Sequence, residues 1–257
     1  MEKKKEAHNG KNYKGFTVRK VISFCLHSGH TRYCQGFLEN LPLAKEFYPG
    51  WDVVLFYDNT LPSKWLAKYD EAGVESYNVH EYGIHPTCMR FLAHELPNVE
   101  RFISRDADSR LSQREAEAVK EWEDSGLGFH AMRDHPHHDR RRHPVFAGIF
   151  GLVVTELRDF NMREKLIEHS SHCPDRQGGH WRLWKKRKRG VDQNFLRDEI
   201  YPIFVESESI MIHTICKKRF PFEVDFPSPR NKNKNFVGEI FDFVDGKEER
   251  GPQWKDL

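Results

Sequence analysis

The sequence predicts a single-domain α/β fold in which helices flank a mostly parallel central sheet. Short apolar, β-branched runs alternate with amphipathic segments along the first half of the chain, as in sheets whose strands are joined by right-handed crossovers. The 257 residues suffice for one substantial core but not for two independent ones. With 38% hydrophobic and 13% aromatic residues, burial of this core can offset the loss of chain entropy.

The alternation begins with predicted strands at residues 18–26 and 52–57, which are apolar runs bounded by polar or glycine-containing segments. Residues 32–47 between them place apolar side chains at helical spacing. Thr31 is the candidate cap of this helix, and Pro42 predicts a kink or a restart within it.

The same pattern continues up to a fourth strand. It predicts helices at residues 63–72 and 86–95 and strands at residues 74–79 and 101–104. Because ligands of such sheets bind beyond the carboxyl ends of the strands, we expect the functional site at that edge.

Beyond residue 112 the pattern is less regular. It predicts helices at 113–125, 156–169 and 193–199 and strands at 128–132 and 209–213.

The charge and cysteine content exclude several classes of protein. Lysine and arginine number 41 against 39 acidic residues, and this balance gives no field that would favour nucleic acid as a partner. The five cysteines are scattered without a CxxC pair, which disfavours both a disulfide framework and a zinc site. The start of the sequence is too polar for a signal peptide and no apolar run is long enough to span a bilayer, so we expect a cytoplasmic location.

An acidic pair follows the fourth predicted strand. In the segment RFISRDADSRLS, Asp106 and Asp108 come directly after the apolar run, and alternate residues of an extended backbone direct their carboxylates to one side. Hard oxygen ligands in this arrangement suit Mg²⁺ or Mn²⁺. A DxD triplet is also common in turns and helix caps, so its position at a strand end carries more weight than the triplet itself.

Together with neighbouring motifs, this pair resembles glycosyltransferases of the GT-A fold, in particular enzymes of large DNA viruses and of bacterial polysaccharide loci. The resemblance runs from about Val18 to Gly238 and is carried, in order, by NLPLAKEFYPGWDVVLFYD, RFISRDADSRLS, HAMRDHP, GVDQNFL and FVG. It implies a Rossmann-like sheet and transfer of a sugar from a nucleoside-diphosphate sugar, such as a UDP- or GDP-sugar. Mn²⁺ or Mg²⁺ held by Asp106 and Asp108 would bridge the diphosphate.

A second motif, GVDQNFLRDEIYP, contains Asp192 and Gln193 just before a run that buries one helical face. The two side chains either point into the crevice or simply cap the helix. The pair resembles the one that retaining GT-A enzymes related to glycogenin and bacterial galactosyltransferases place beside the anomeric carbon of the donor. By that resemblance Asp192 holds sugar hydroxyls, Gln193 lies beneath the reacting carbon, and the product retains the donor's configuration.

The run ESIMIHTICKKRF predicts a late strand that ends at His213, with Lys217 shortly after it. In many GT-A enzymes a histidine near the end of the domain completes the metal shell and a following lysine reaches the diphosphate. The resemblance therefore assigns His213 to the metal and Lys217 to the diphosphate, although a lone histidine at a strand end is more often structural.

Two further polar residues lie near predicted strand ends. Asp58 ends the second strand, where a carboxylate can bind ribose hydroxyls. Arg90, in the helix at 86–95, can offset the charge of the donor phosphates or pair with the acidic motif. Either residue could equally form a structural ion pair.

A loop rich in histidine and arginine, RDHPHHDRRRHP, follows the strand at 128–132. Zinc is disfavoured here because three adjacent guanidinium groups repel a cation and no regular histidine spacing supplies a tetrahedral set. We expect Arg133, Asp134 and His135 to contact the sugar or the acceptor, with a merely solvated loop as the alternative. The basic run at 184–189 fits a loop over the diphosphate, a nucleic-acid segment or a solvated surface.

These motifs divide the chain into a mobile basic tail (1–15), a GT-A-like domain (16–228) and a C-terminal tail (229–257). Within the domain we expect residues 16–112 to bind the nucleotide and residues 113–228 to bind the acceptor and to complete the metal site.

Two other classes of protein share part of this pattern. A sugar nucleotidyltransferase also uses acidic residues and Mg²⁺, but it would carry a Gly- and Arg-rich phosphate loop near the first strand, where LHSGHTR offers a single glycine. A non-catalytic carbohydrate-binding protein would not need a metal-chelating acidic pair. The expected partners are therefore a nucleotide-sugar donor and a glycan acceptor.

Overall fold

The computed structural model describes residues 18–138, 144–172 and 190–251. Its strands are β1 (Arg19–Leu26), β2 (Trp51–Tyr57), β3 (Glu75–Asn78), β4 (Val99–Arg105), β5 (Phe129–Arg133), β6 (Ile149–Val153), β7 (Ile210–Thr214), β8 (Glu223–Val224), β9 (Phe241–Val244) and β10 (Lys247–Arg250). Its α-helices are α1 (Thr31–Phe47), α2 (Ser63–Glu71), α3 (Gln113–Ser125), α4 (Met162–Ser171), α5 (Val191–Phe195) and α6 (Tyr201–Glu206).

Eight of these strands form one sheet in the order β3, β2, β1, β4, β6, β5, β7, β8. Its neighbouring strands run parallel except at β6, which is antiparallel to both β4 and β5. The architecture confirms the predicted fold class, an α/β fold with a mostly parallel central sheet flanked by helices.

The two faces of the sheet are covered by different helices. Ile103 of β4 belongs to a core formed with α1, α2 and α3. Its neighbour Phe102 faces the opposite core, which is formed by the 3₁₀ segment Pro86–Glu95 together with α4, α5 and α6. Successive residues of a strand point to opposite faces, so the two faces carry separate sets of functional side chains.

Most predicted elements lie where the sequence placed them. Helix α3 has the predicted bounds, because the Ser112 side chain accepts from Glu115 N at 3.3 Å and Gly126 takes a left-handed conformation after it. Helix α1 continues through Pro42 without a break, and its cap is His30 rather than Thr31.

The differences lie mainly in the second half of the chain. Strand β6 was not predicted, and the segment at 86–95 is a 3₁₀ helix. The helix predicted at 193–199 is interrupted by a π-helical turn, Leu196–Ile200, between α5 and α6. Pro202 lacks the N–H that would continue the regular hydrogen-bond pattern, which accounts for a turn of different pitch before it.

The segment predicted as a C-terminal tail is packed onto the domain as far as it is described, to Gly251. Phe236 and Val237 are buried, and β9 pairs with β10 as a hairpin. Its turn residues Asp245 and Gly246 have φ of 49° and 76°, as a two-residue hairpin turn of this hand requires. In the described part of the chain, no helix has the length and apolar character that crossing a membrane would demand.

Candidate active site

Polar side chains meet at the carboxyl ends of β1, β2 and β4. Asp58 follows β2, and its Oδ1 accepts from the N–H of Thr60 at 3.0 Å, so it shapes the turn that leaves the strand. His27 directly follows β1; burial lowers its pKa, while the charge of Asp58 acts in the opposite direction. His27 was not predicted as a site residue, although it ends a strand of the alternation as Asp58 does.

Arg90 is the centre of the candidate site. Its guanidinium lies beneath the strand ends with a side chain only 5% exposed. Nη2 donates to Asp192 Oδ2 at 2.7 Å, and Nη1 donates to Asp106 Oδ1 and, at 3.3 Å, to the carbonyl of Arg105. One buried cation therefore joins the strand-end acid to the acid of α5.

The sequence explains why Arg90 is held in this place. The 3₁₀ segment Pro86–Glu95 starts with a proline and is fixed to β1 by Ser23, whose hydroxyl donates to the carbonyl of Arg90 at 2.7 Å. The flanking residues Met89 and Phe91 are buried in the core, so the segment is anchored on both sides of the arginine. A guanidinium held this firmly loses little further freedom when it binds carboxylates.

The acidic side chains differ in exposure and in proton affinity. The side chain of Asp106 is 49% exposed, whereas Asp108 is buried. Burial, followed by the charge of Asp106, raises the pKa of Asp108 to about 7. Burial also raises the pKa of Asp192, against the opposing effect of Arg90.

The site thus holds three carboxyl groups, Asp106, Asp108 and Asp192, around a single buried guanidinium. If all are ionised, the cluster has an excess of two negative charges. Arg32 also approaches Asp108, but it forms an ion pair with Asp242 of the C-terminal hairpin.

Gly148 forms the wall beside Asp106. A Cβ at this position would lie 1.9 Å from Asp106 Oδ2, so only glycine leaves room for the carboxylate. The segment before it is held by Gln193, whose Oε1 accepts from Ala147 N at 2.9 Å and whose Nε2 donates to the carbonyl of Val145. Both ends of the Gln193 amide are therefore engaged with backbone, and we assign it to positioning this wall.

The raised pKa of Asp108 leads to a prediction about stability. A carboxyl whose pKa is higher in the folded chain than its unfolded value of about 3.9 binds its proton more tightly when folded, so the free energy of unfolding falls as the pH rises through about 7. We expect Asp108→Asn to raise the melting temperature at pH 8 by about 3 °C or more. The gain should shrink by pH 5.5, where the parent carboxyl is protonated.

Circular dichroism melts of the parent, Asp108→Asn and Asp70→Asn across this pH range test the prediction. Asp70 is an exposed residue of α2 and serves as the matched control. Identical pH profiles for the parent and Asp108→Asn would contradict the assignment of a destabilised carboxylate.

The structure does not bring His213 to the acidic cluster. Its ring is fully buried; Nδ1 lies 2.8 Å from His130 Nε2, and Nε2 lies 3.3 Å from Glu121 on α3. β7 is three strands from β4, a separation of about 14 Å. In addition, His213 pairs with Met132 of the α1–α3 core and so faces that side of the sheet, whereas Asp106 faces Arg90. We assign His213 to the fold and not to a metal.

The three residues expected to bind sugar or acceptor are also engaged within the fold. Arg133 pairs with buried Glu223 at 2.8 Å. The Asp134 carboxylate is fully buried and accepts from Arg114 Nε and Nη2, both at 2.9 Å. His135 is buried, with its ring centroid 4.5 Å from that of Phe236. These contacts fasten the end of β5 to β8, to α3 and to the C-terminal segment.

Lys217 is exposed in the loop that follows β7. Two other features noted in the sequence, the arginines at 140–142 and the basic run at 184–189, lie outside the described residues.

The side chains available as ligands determine how a metal could bind. Among the residues that the structure describes, no group of three or more His, Cys, Asp or Glu side chains is arranged to hold a cation. Two carboxylates nevertheless fit Mg²⁺ or Mn²⁺, because these ions are commonly held by one or two carboxylates together with substrate phosphates and water. Asp106 and Asp108 therefore fit a metal that arrives with a diphosphate, and the excess negative charge of the cluster fits a divalent ion.

No protein-family model matches this chain, and no curated protein matches it. Several solved structures are similar to it. TarS 1–349 of S. aureus is 9% identical with a TM-score of 0.41, and the match covers 60% of this chain and 55% of that one. The mannosyltransferase PcManGT of Pyrobaculum calidifontis, solved with GDP-Man and Mn²⁺, is 15% identical with a TM-score of 0.44. The match covers 57% of this chain and 47% of that one.

A third similar structure is a glycosyltransferase involved in glycosylation of the major capsid of PBCV-1. It is 12% identical with a TM-score of 0.43, and the match covers 76% of this chain and 81% of that one. The chain thus spans about half the length of TarS 1–349 and of PcManGT. At these identities and scores, the solved structures assign no role to any residue of this chain.

Proposed function

We propose that this protein is a glycosyltransferase that moves a sugar from a UDP- or GDP-sugar to a hydroxyl group of a glycan acceptor. The observation that carries the proposal is the cluster at the carboxyl ends of the parallel strands, in which Arg90 joins Asp106 to Asp192 and Asp108 is buried alongside. This is the edge at which open α/β sheets bind their ligands.

The proposed roles follow from exposure and charge. Asp106 and Asp108 hold Mn²⁺ or Mg²⁺, which when bound neutralises charge on the departing diphosphate. Arg90 fixes Asp106 and Asp192 relative to each other, and Asp192, 13% exposed, accepts hydrogen bonds from sugar hydroxyls. Asp58 binds the ribose hydroxyls, and Lys217 approaches the diphosphate from the loop after β7.

We further propose that the donor's anomeric configuration is retained, on the resemblance of the Asp192–Gln193 pair. Gln193 supports this reaction by holding the wall at Gly148, since both ends of its amide bind backbone. The acceptor oxygen forms the new bond to the anomeric carbon as the bond to the diphosphate breaks, and the acceptor proton passes to the released diphosphate.

A transfer assay tests the function and its stereochemistry together. The protein is incubated with UDP- and GDP-sugars, Mn²⁺ and a set of glycan acceptors, and released nucleoside diphosphate is measured. We expect release that depends on the metal and on an acceptor. Proton NMR of the first product should show the donor's configuration.

The alternatives give different outcomes. Release of pyrophosphate from a nucleoside triphosphate and a sugar phosphate would indicate a nucleotidyltransferase. Inverted configuration would leave the sugar transfer intact and contradict retention alone. Absence of nucleotide release and of metal-dependent nucleotide binding would overturn the proposal.

A further inference from the structure

A large groove lies next to the acidic loop, on the side of the sheet covered by α1 and α3. It has a volume of about 1120 Å³ and runs between α1, the start of α3 and residues 228–250. We call it the lateral groove. Arg90, Asp106, Asp108 and Asp192 do not line it, so the groove and the proposed catalytic centre are formed by different residues.

Buried carboxylates fix the guanidinium groups of the lateral groove. Arg114 and Arg230, which both line it, bind the fully buried Asp134 from α3 and from the C-terminal segment. Arg250 is held in the same way by Glu239, which is 1% exposed. These arginines are thereby oriented before any ligand arrives.

A row of asparagines continues this polar surface. Asn231 Nδ2 donates to Asn235 Oδ1 at 2.9 Å, and Asn235 Nδ2 donates to Glu239 Oε2 at 2.8 Å. Asn233 also lines the groove. The chain of amides ends on the buried carboxylate, so these donors and acceptors have fixed directions as well.

The facing wall is apolar. Leu43 and Phe47 are half-buried on one face of α1, four residues apart, and Pro42 is exposed beside them. Phe236 and Phe241 line it from the C-terminal segment. The groove thus combines planar polar groups on one side with apolar surface on the other.

The charges of the groove indicate the class of its ligand. Four arginines line it (Arg110, Arg114, Arg230 and Arg250), and four glutamates balance them (Glu39, Glu117, Glu239 and Glu248). A balanced lining gives no net attraction for an anion such as a phosphate. Fixed amides, guanidinium groups and carboxylates beside apolar surface suit a ligand with many hydroxyl groups and apolar C–H faces.

We infer that the lateral groove is a second carbohydrate site, which binds a neutral oligosaccharide independently of the donor. The inference does not require the transfer reaction, since none of the groove residues belongs to the acidic cluster. A glycan held there would keep the protein on a glycan-bearing surface whether or not a nucleotide is bound.

An array of immobilised neutral and acidic oligosaccharides, probed with labelled full-length protein without nucleotide or metal, tests this inference. The parent should bind members of the neutral set. Gln113→Trp places an indole in the groove at an exposed position of α3 and removes only the 2.8 Å contact with Glu117. We expect it to lower binding at least tenfold.

Lys120→Trp is the matched control. Lys120 is exposed on the same helix, has the equivalent pairing with Asp124 four residues on, and does not line the groove. Asp106→Ala should bind the array like the parent, which separates the groove from the catalytic centre. The inference fails if no neutral oligosaccharide binds, if only acidic glycans bind, if Gln113→Trp binds like Lys120→Trp, or if Asp106→Ala abolishes binding.

Discussion

Replacing Asp106 with alanine is expected to remove metal-dependent binding of the nucleoside diphosphate. Asp106 is the exposed member of the acidic pair, and its loss leaves the metal a single protein carboxylate, that of the buried Asp108. We expect the affinity for UDP or GDP in the presence of Mn²⁺ to fall by roughly a hundredfold or more. Isothermal titration calorimetry measures this directly.

The fold should survive this change. The Asp106 side chain is half-exposed, and its removal also takes away a like charge that raises the pKa of Asp108. Asp70→Ala, which removes an exposed aspartate from α2, is the control for a simple loss of negative charge. If Asp106→Ala binds the nucleotide and Mn²⁺ as tightly as the parent does, the acidic pair is not the metal site.

Replacing Arg90 with methionine should have the largest effect on stability. It leaves the carboxylates of Asp106 and Asp192 without their shared cation, and breaking a buried ion pair on one side costs about 3–5 kcal/mol. For a domain of this size we expect the melting temperature to fall by roughly 6–20 °C.

The pH dependence distinguishes this mechanism from lost packing. Without Arg90 the pKa of Asp192 rises further, so protonation of this carboxyl relieves more of the deficit as the pH falls. The fall in melting temperature of Arg90→Met should therefore be greater at pH 8 than at pH 6. Arg101→Met is the control, because Arg101 is also buried but pairs with Glu100, which is 38% exposed. A deficit that is equal at both pH values would indicate packing alone.

The fold class was predicted from the sequence, whereas the partners of single residues in the candidate site were predicted less well. Strand ends in an α/β alternation identify Asp58 and Asp106 because the chain direction alone decides which edge they occupy. Helix α3 was predictable at both ends because Ser112 and Gly126 are strong local signals. Strand β6 was not predictable, since its sequence IFGLV is short and contains a glycine, and the strand is antiparallel to both of its neighbours.

Roles that depend on register or on partners from distant segments were not predictable. His213 was placed correctly at the end of a strand, but the face to which it points is set by its pairing with Met132, and a shift of one residue reverses that face. Arg90 was predicted as a possible partner of the acidic motif, and the structure adds its second partner, Asp192. Both ends of the Gln193 amide bind backbone at residues 145–147. This could not be predicted from the sequence, because it depends on the folded conformation of that loop.

The C-terminal hairpin gives the acidic loop its outer support. The N–H of Phe241 donates to the carbonyl of Asp108 at 2.7 Å, Asp242 pairs with Arg32, and Glu248 pairs with Arg110. Contacts separated by 210 residues along the chain form late when a protein is made from its N-terminus onward. During synthesis β1 to β7 therefore leave the ribosome before this support exists, and until residues 241–250 have emerged the acidic loop is held only by contacts from the earlier part of the chain, such as those of Arg90 and Asn40.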